Sequence, residues 1–175
     1  EISNNFVPNF KIGNKVISYK ENFIYIICEI GVNHNGSEKN AFKLVDHASE
    51  AGANAIKLQI RSNNLFSLDS TDSFDLSAQI SYSEVKRTNL SYKSSRNILN
   101  YAKTKGLNVI VTPFDNSALE EVKTWNIDAL KIASCDLTNL PLVKNISETG
   151  FPVIVSTGMS NESEILKARD ILEKS

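Results

Sequence analysis

Short apolar segments alternate with amphipathic segments along most of this chain, and this alternation limits its possible folds more than any other feature. Five segments have the length and composition of buried strands, and each precedes a segment with apolar residues at helical spacing. Repeated βα units predict a parallel sheet, either doubly wound or part of a (β/α)8 barrel. The predicted strands are 23–30, 55–60, 108–112, 129–133 and 152–157, and the predicted helices are 37–52, 91–105, 115–125, 139–150 and 161–174.

A different pattern precedes these units. Residues 10–19 alternate between apolar and polar around Gly13 and Asn14, which predicts a β-hairpin with a type I′ turn after a loose lead-in. We therefore expect two parts, with lead-in and hairpin in 1–22 and the βα units in 23–175.

The composition is that of a soluble globular protein, with 41% hydrophobic and 22% charged residues. The net charge of −1 and the lack of a basic patch argue against nucleic acid or an anionic membrane as a partner. No apolar run reaches the length of a membrane span, and the chain does not open with a secretory signal. Cys28 and Cys135 lack the spacing of a disulfide framework, which favours a reducing compartment, so we expect a cytoplasmic protein.

One predicted strand, 55–60, contains a lysine that an apolar strand does not ordinarily hold. Lys57 and Gln59 point to one face of this strand, whereas its isoleucines and its leucine point to the other. A buried ammonium group is costly unless an anion meets it. The strand therefore predicts either a buried ion pair or a bound anion at Lys57.

Polar residues lie near the carboxyl end of every predicted strand. Parallel α/β folds gather these strand ends on one face, and active sites are built there. No strand is followed by a G-x-G-x-x-G motif, which argues against a dinucleotide site. The polar residues are Glu29, Lys57, Gln59, Thr112, Lys131, Ser134, Ser156 and Thr157.

Lys57 and Lys131 leave three interpretations open. Each lysine could form a structural ion pair, with Glu29 or Asp136 as the carboxylate. One lysine could form a Schiff base, as in a class I aldolase, which requires a lowered pKa. Both could be fixed cations that clamp a phosphate and a carboxylate, and three nearby hydroxyls as neutral donors favour this clamp. Those hydroxyls belong to Thr112, Ser134 and Ser156.

The two histidines do not predict a metal site. His34, in a loop, is interpreted as a surface or hydrogen-bonding residue, and His47, on the first predicted helix, as structural. Neither has a second histidine or a cysteine at metal-ligand spacing, so we expect no complete metal site within this chain.

Five ordered motifs resemble the N-acetylneuraminate (sialic acid) synthase family. This family includes the legionaminic and pseudaminic acid synthases and the spore-coat polysaccharide synthases. The motifs are I-I-C-E-I-G-V-N-H-N-G at 26–36, A-G-A-N-A-I-K-L-Q at 51–59, T-P-F-D at 112–115, K-I-A-S-C-D-L-T-N-L-P-L at 131–142 and S-T-G-M at 156–159.

The resemblance implies a (β/α)8 TIM barrel that condenses phosphoenolpyruvate with an N-acylated aldose similar to N-acetylmannosamine. The products would be a sialic-acid-type nonulosonate and phosphate, in surface polysaccharide biosynthesis. The family also implies Mn²⁺ or Mg²⁺ as cofactor, a homodimer, and a short element that closes the bottom of the barrel, which the hairpin matches. The polar, irregular segment 61–90, predicted as a long loop with room for a short helix, would contribute to sugar specificity.

The same resemblance gives each candidate residue a role. Gln59 would contact the sugar, Glu29 would assist proton or water handling, and Asp136 would be an acid at the edge of the site. The residues that would hold the phosphate and carboxylate of phosphoenolpyruvate are Lys57, Thr112, Lys131, Ser134 and Ser156.

A complete barrel takes about 250 residues and eight βα units, whereas this chain supplies about five. We therefore expect the N-terminal portion of a longer enzyme. Its remaining strands, metal ligands and C-terminal antifreeze-like domain would lie beyond residue 175, and the portion alone would be inactive. A class I aldolase and a non-catalytic anion-binding domain are the alternatives to a synthase.

Overall fold

The computed structural model describes residues 9–18, 23–62 and 76–174, with the side chains of 76–81 excepted. Residues 1–8 of the predicted lead-in and residues 63–75 of the predicted loop lie outside the described residues. The strands are β1 (Asn9–Ile12), β2 (Lys15–Ser18), β3 (Ile27–Gly31), β4 (Ala55–Ile60), β5 (Asn108–Pro113), β6 (Ala129–Ile132) and β7 (Val153–Val155). The helices are α1 (Glu38–Glu50), α2 (Leu76–Thr88), α3 (Tyr92–Thr104), α4 (Asn116–Val122), α5 (Leu140–Ser147) and α6 (Glu162–Leu172).

The sheet topology separates the two folds that the βα pattern allowed. Strands β3 to β7 are parallel, and each is hydrogen-bonded to the next strand along the chain. A doubly wound sheet reverses its strand order at a switch point, whereas a barrel adds strands in sequence order. The strand order is therefore that of a (β/α)8 barrel, and β3–β7 form an open, five-stranded portion of one.

The two faces of this sheet differ because side chains alternate along each strand. Ile56, Leu58 and Ile60 face the helices and belong to the main hydrophobic core. The other face, which lines the interior in a barrel, carries Lys57 and Gln59. Helices α1, α3, α4, α5 and α6 add buried residues to the core, which in chain order are Ala41, Val45 and Ala48, then Ile98, Leu99 and Ala102, then Ala118, Leu119 and Val122, then Leu142, Val143 and Ile146, and finally Ala168.

Five predicted helices are confirmed, together with the residues that begin them. Each N-cap side chain accepts a hydrogen bond from a backbone N–H in the first turn, which satisfies a donor that would otherwise lack a partner. These N-caps are Ser37, Ser91, Asp115, Asn139 and Asn161.

Two predicted segments differ from the structure. The first barrel strand begins at Ile27 rather than at residue 23, because the side chain of Asn54 accepts the N–H of Ile26 at 2.8 Å in place of a ladder partner. The segment 61–90 holds a helix of 13 residues, α2, which is longer than a short helix. Four of these 13 residues are serine or threonine, which are poor helix formers, so its sequence signal was weak.

The hairpin is confirmed, but its predicted turn type was wrong. Gly13 has a positive φ of 59°, whereas Asn14 does not have a positive φ. A type I′ turn needs a positive φ at both central residues, and a type II′ turn needs it only at the first. The β1–β2 turn therefore has the φ pattern of a type II′ turn.

The hairpin lies at the amino ends of the barrel strands, as the family resemblance implied. Ile12 is buried in a second, smaller cluster on the inner face of the sheet. Nδ2 of Asn108, the first residue of β5, donates to the carbonyl oxygen of Ile12 at 3.1 Å. The other buried members of the cluster are Ala55, Ile110 and Ala129.

In the described ranges we find no helix long and apolar enough to cross a bilayer. Cys28 and Cys135 are both free thiols.

Candidate active site

The polar residues of the inner face lie side by side because the strands pair in register. Glu29 of β3 is paired with Lys57 of β4, and Gln59 of β4 is paired with Thr112 of β5. All four lie towards the carboxyl ends of their strands, opposite the end that the hairpin covers. The predicted gathering of polar strand ends is therefore present in the fold.

Lys57 is the most deeply buried cation of this group, with 4% of its surface exposed. Its Nζ lies 2.8 Å from Oε2 of Glu29 and donates to Oγ1 of Thr112 at 3.3 Å. The Glu29 side chain is 51% exposed, so it neutralises Lys57 from the open side of the sheet. The ion pair considered for Lys57 is present, and it leaves the carboxylate within reach of solvent or a ligand.

Burial lowers the pKa of Lys57, and Glu29 opposes this effect by hydrogen bonding and charge. The positive charges of Lys131 and Arg61 lower the pKa of Lys57 further. Lys131 and Arg61 are thus each close enough to Lys57 to repel it. Glu29 is paired with Lys57, and Asp136 and Asp115 lie near Arg61, so Lys131 is left as the cation without a carboxylate partner among the described residues.

Lys131 differs from Lys57 in having no carboxylate partner among the described residues. It is partly buried on β6, where it is paired in register with Ile154 of β7. Within the part of the chain that the structure describes, Lys131 forms no ion pair. The alternative pairing with Asp136 is therefore not found in this structure.

The predicted hydroxyls follow the same strands. Thr112 is buried, with 1% of its surface exposed. Ser134 begins a short 3₁₀ turn directly after β6, and Ser156 follows β7, where its N–H donates to the carbonyl oxygen of Ile132 at 3.1 Å. Each candidate hydroxyl therefore stands at the carboxyl end of a strand on the same edge of the sheet.

Asp136 lies in the 3₁₀ turn after β6, beside Cys135 and Arg61. Burial raises the pKa of Asp136, whereas a hydrogen bond from Cys135 and the charge of Arg61 act in the opposite direction. The sulfur of Cys135 lies 3.7 Å from Oδ2 of Asp136. Asp136 is thus placed at the rim of the polar group, with a cation other than Lys131 near it.

Arg61 is a site residue that the sequence analysis did not single out. Its Nη2 donates to Oε1 of Gln59 at 3.0 Å, and its guanidinium lies 3.8 Å from the ring centroid of Phe114. The sequence could have indicated Arg61, because side chains alternate along an extended chain. If the chain stays extended beyond residue 60, positions 57, 59 and 61 point to the same face.

His34 is buried in the loop after β3, with 2% of its surface exposed. Its Nδ1 accepts the N–H of Gly36 at 3.1 Å, and burial lowers the pKa of the ring. The interpretation of His34 as a hydrogen-bonding residue is confirmed, and the ring acts as a neutral brace for the loop.

A cleft of about 310 Å³ opens beside Gln59, between the loop after β3 and helix α2. Its lining is largely polar, and Glu84 pairs with Arg87 at 2.6 Å across its outer wall. A cleft of this composition suits a hydroxyl-rich ligand more than an apolar one. Its lining residues are Val32, Asn33, Asn35, Gln59, Arg61, Glu84, Val85, Arg87 and Thr88.

Gly36 controls how closely α2 approaches this loop. Its φ is +75°, and an added Cβ would collide with the backbone carbonyl oxygen of Arg87. Gly36→Ala is therefore expected to lower the free energy of unfolding by about 2–5 kcal/mol, from the strain of a positive φ together with the clash.

Gly52→Ala is the matched control for this change. Gly52 has a similar φ of +77°, but no atom lies within 4 Å of its added Cβ. This variant carries only the conformational strain, about 1–2 kcal/mol. Chemical unfolding of the complete protein measures both, and equal losses would show that the contact between Gly36 and α2 is unimportant.

A divalent metal is the cofactor that the family resemblance implied. Among the residues that the structure describes, no three histidine, cysteine or acidic side chains stand close enough to hold a metal ion. Glu29 is paired with Lys57 instead. These residues do not build a metal site, and we derive no chemical step through a metal.

Comparison with known proteins agrees with this geometry. The family model described as the NeuB family matches residues 44–175, well over half of the chain. The N,N'-diacetyllegionaminic acid synthase of Campylobacter jejuni is 32% identical over 159 residues, which cover 85% of this chain and 46% of that protein. The spore coat polysaccharide biosynthesis protein SpsE of Bacillus subtilis is 30% identical, over 91% of this chain and 43% of its own.

A solved structure is similar over nearly the whole chain. The N-acetylneuraminic acid (sialic acid) synthetase of Leptospira borgpetersenii, in complex with citrate, superposes with a TM-score of 0.82 and 31% identity, covering 95% of this chain and 55% of that one. The chain spans a little under half the length of the curated relatives named above. From the family model, the relatives and the shared fold, we conclude that this chain belongs to the NeuB family.

Proposed function

We propose that the complete protein carrying this chain condenses phosphoenolpyruvate with an N-acylated aldose, giving a sialic-acid-type nonulosonate and phosphate. The observation that carries this proposal is the pair of close lysines at the strand ends, of which Lys131 has no carboxylate partner within the described ranges. Lys57 and Lys131 repel each other, and Glu29 is the carboxylate paired with Lys57. The names of similar proteins, which are synthases of sialic, legionaminic and pseudaminic acids, support the same reaction class.

Phosphoenolpyruvate suits a site with two lysines because its phosphate and its carboxylate, both negatively charged, are attached to the same carbon atom. Two fixed cations can bind both anionic groups, while hydroxyls complete the hydrogen bonds without adding charge. Both lysines are held by the sheet, so little entropy is lost when the anion binds. The proposed hydroxyl donors are Thr112, Ser134 and Ser156.

In the proposed reaction, C3 of phosphoenolpyruvate attacks the aldehyde carbon of the open-chain sugar and forms the new C–C bond. The aldehyde oxygen takes up a proton, and water adds at the cationic C2. The C–O bond to phosphate then breaks, which leaves the ketone of the product. Lys57 and Lys131 stabilise the bound anion and the departing phosphate and form no imine.

Glu29 and Gln59 supply the remaining polar groups of this proposal. The Glu29 carboxylate is half exposed beside Lys57, where it can accept a hydrogen bond from the water that adds at C2. Gln59 lines the polar cleft and contacts the sugar. The bound divalent metal, the homodimer and the cytoplasmic location stay predictions from the family resemblance.

Phosphate release by the complete protein tests the function. We expect release only when phosphoenolpyruvate and an N-acylated aldose are both present, with N-acetylmannosamine and a diacetamido-trideoxy sugar as the first acceptors. The product should be a nonulosonate by mass. Borohydride should trap no substrate on the protein, since a lysine adduct would indicate a class I aldolase. Binding of phosphoenolpyruvate without turnover of any acceptor would indicate a non-catalytic domain.

A further inference from the structure

Arg61 connects the carboxyl ends of three neighbouring strands. It follows β4 directly, and its guanidinium stacks 3.8 Å from the ring centroid of Phe114, which follows β5. Its charge also interacts with Asp136, which follows β6. Stacking on one side and a carboxylate on another restrict a side chain that is otherwise long and flexible.

The backbone beside Arg61 is also held in place. Oδ2 of Asp115 accepts the N–H of Ser62 at 2.8 Å, and Oδ1 of the same carboxylate accepts the N–H of Ala118 at 2.8 Å. The residue after Arg61 is thereby tied to the first turn of α4. Support of this kind holds a side chain in one geometry before a ligand arrives.

The contact between Arg61 and Gln59 determines which way the Gln59 amide points. Nη2 of Arg61 donates to Oε1 of Gln59 at 3.0 Å. A guanidinium has donors and no acceptor, so only the carbonyl oxygen of the amide can face it. The amide nitrogen must then face away from Arg61. On that side lies Gly31, whose added Cβ would stand 3.5 Å from Nε2 of Gln59 and 2.8 Å from Oε1 of Glu29.

We propose that Arg61 is a positioning residue, which fixes the Gln59 amide so that its NH2 group donates to a ligand oxygen beside Glu29. The ligand group must be an acceptor, either a hydroxyl oxygen or an acyl carbonyl oxygen. Naming it as part of the acceptor sugar rests on the proposed function. Arg61 acts through Gln59 and touches none of the reacting carbons.

Substitution of Arg61 should therefore weaken binding of the amino sugar and leave binding of phosphoenolpyruvate nearly unchanged. Arg61→Met keeps the apolar stem and removes every donor. We expect the KM for the amino sugar to rise roughly tenfold in the complete protein, as for the loss of one hydrogen bond to a charged group. The KM for phosphoenolpyruvate and the kcat should change little. Arg61→Lys should recover part of the loss, because an ammonium can still donate to the Gln59 carbonyl.

A double-variant cycle separates positioning from a general structural role. Gln59→Ala removes the amide that Arg61 orients, so adding Arg61→Met to it should cause little further rise in the KM for the sugar. If the two losses multiply, or if the KM for phosphoenolpyruvate rises as much as that for the sugar, the inference is wrong.

The NMR signals of the Gln59 side-chain amide give a readout that needs no turnover. Their disappearance in Gln59→Ala assigns them. In Arg61→Met they should move towards the positions of a free amide, and in Arg61→Lys they should move less. Unchanged signals in Arg61→Met would overturn the inference. A wild-type protein that condenses no N-acylated aldose refutes the proposed function instead, and the amide signals then decide alone whether Arg61 orients Gln59.

Discussion

Lys57→Met in the complete protein is expected to reduce kcat/KM for phosphoenolpyruvate by about 100- to 1,000-fold, the usual cost of removing one fixed electrostatic group from an active site. The ammonium of Lys57 is held on the inner face by Glu29 at 2.8 Å and by the hydroxyl of Thr112 at 3.3 Å. Methionine has a length similar to that of lysine and keeps the sheet packed. The fall in kcat/KM therefore measures the loss of the positive charge. Steady-state kinetics with each substrate varied in turn measures it.

The same variant should not lose stability. Burial lowers the pKa of Lys57, which shows that the charged form is disfavoured at this position. Replacing a buried charge by an apolar side chain of similar volume is often neutral or stabilising. Glu29, half exposed, remains hydrated when its partner is removed. We expect the Tm of Lys57→Met to equal or exceed that of the wild type.

Lys103→Met is the matched control, and we expect it to lower stability and to leave turnover unchanged. Nζ of Lys103 lies 2.6 Å from Oδ1 of Asp128, at the amino end of the sheet. The Asp128 side chain is only 9% exposed, so it would be left buried without its cation, at a cost of about 1–3 kcal/mol. Its turnover should stay normal. Near-normal activity in Lys57→Met, or a loss of Tm as large as that of Lys103→Met, would assign Lys57 a structural role.

The inner face of the sheet could be predicted from the sequence because strand alternation is strictly local. Lys57 and Gln59 share a face whatever the rest of the chain does, and parallel strands bring their carboxyl ends together. The starts of five helices could be located from the sequence for a similar reason, since a capping side chain bonds to a backbone N–H two or three residues away.

Contacts between distant segments could not be predicted in this way. The hydrophobic pattern of the sequence did not identify the ion-pair partner of Lys57. The register of β3 against β4 places Glu29, rather than another carboxylate, beside Lys57. The Arg61 contact with Phe114 depends in the same way on β4 and β5 being neighbours. The burial of His34 requires the loop after β3 to fold over its own side chain, for which a short polar loop sequence gives no periodic signal.

Two wrong predictions, the start of the first barrel strand and the type of the hairpin turn, have an origin of the same kind. The sequence from residue 23 is apolar enough for a strand, yet Ile24 is 81% exposed and the ladder begins at Ile27. Hydrophobicity alone does not report which backbone groups find a partner. The hairpin turn was assigned from the Gly-Asn pair, whereas the turn type depends on the φ of Asn14, which the identity of the two turn residues alone does not fix.

Lys131→Met is expected to reduce kcat/KM for phosphoenolpyruvate by about 100-fold or more in the complete protein. Lys131 has no ion pair among the residues that the structure describes, and its charge repels Lys57. Removing it leaves one lysine, already paired with Glu29, to hold both anionic groups of the substrate. Calorimetric titration with phosphoenolpyruvate should show the loss as weaker binding, and Tm should change little because no carboxylate among the described residues loses an ion-pair partner.

Lys131→Arg separates the clamp from the aldolase alternative at the same position. Arginine keeps the positive charge and the hydrogen-bond donors, but its guanidinium stays protonated and cannot form an imine. A clamp therefore predicts that Lys131→Arg binds phosphoenolpyruvate well and retains turnover at least tenfold above that of Lys131→Met, a difference of about 1.4 kcal/mol in transition-state stabilisation. If both variants are equally inactive although Lys131→Arg still binds the substrate, the chemistry needs a free amine. Lys131 would then be a nucleophile rather than a fixed cation.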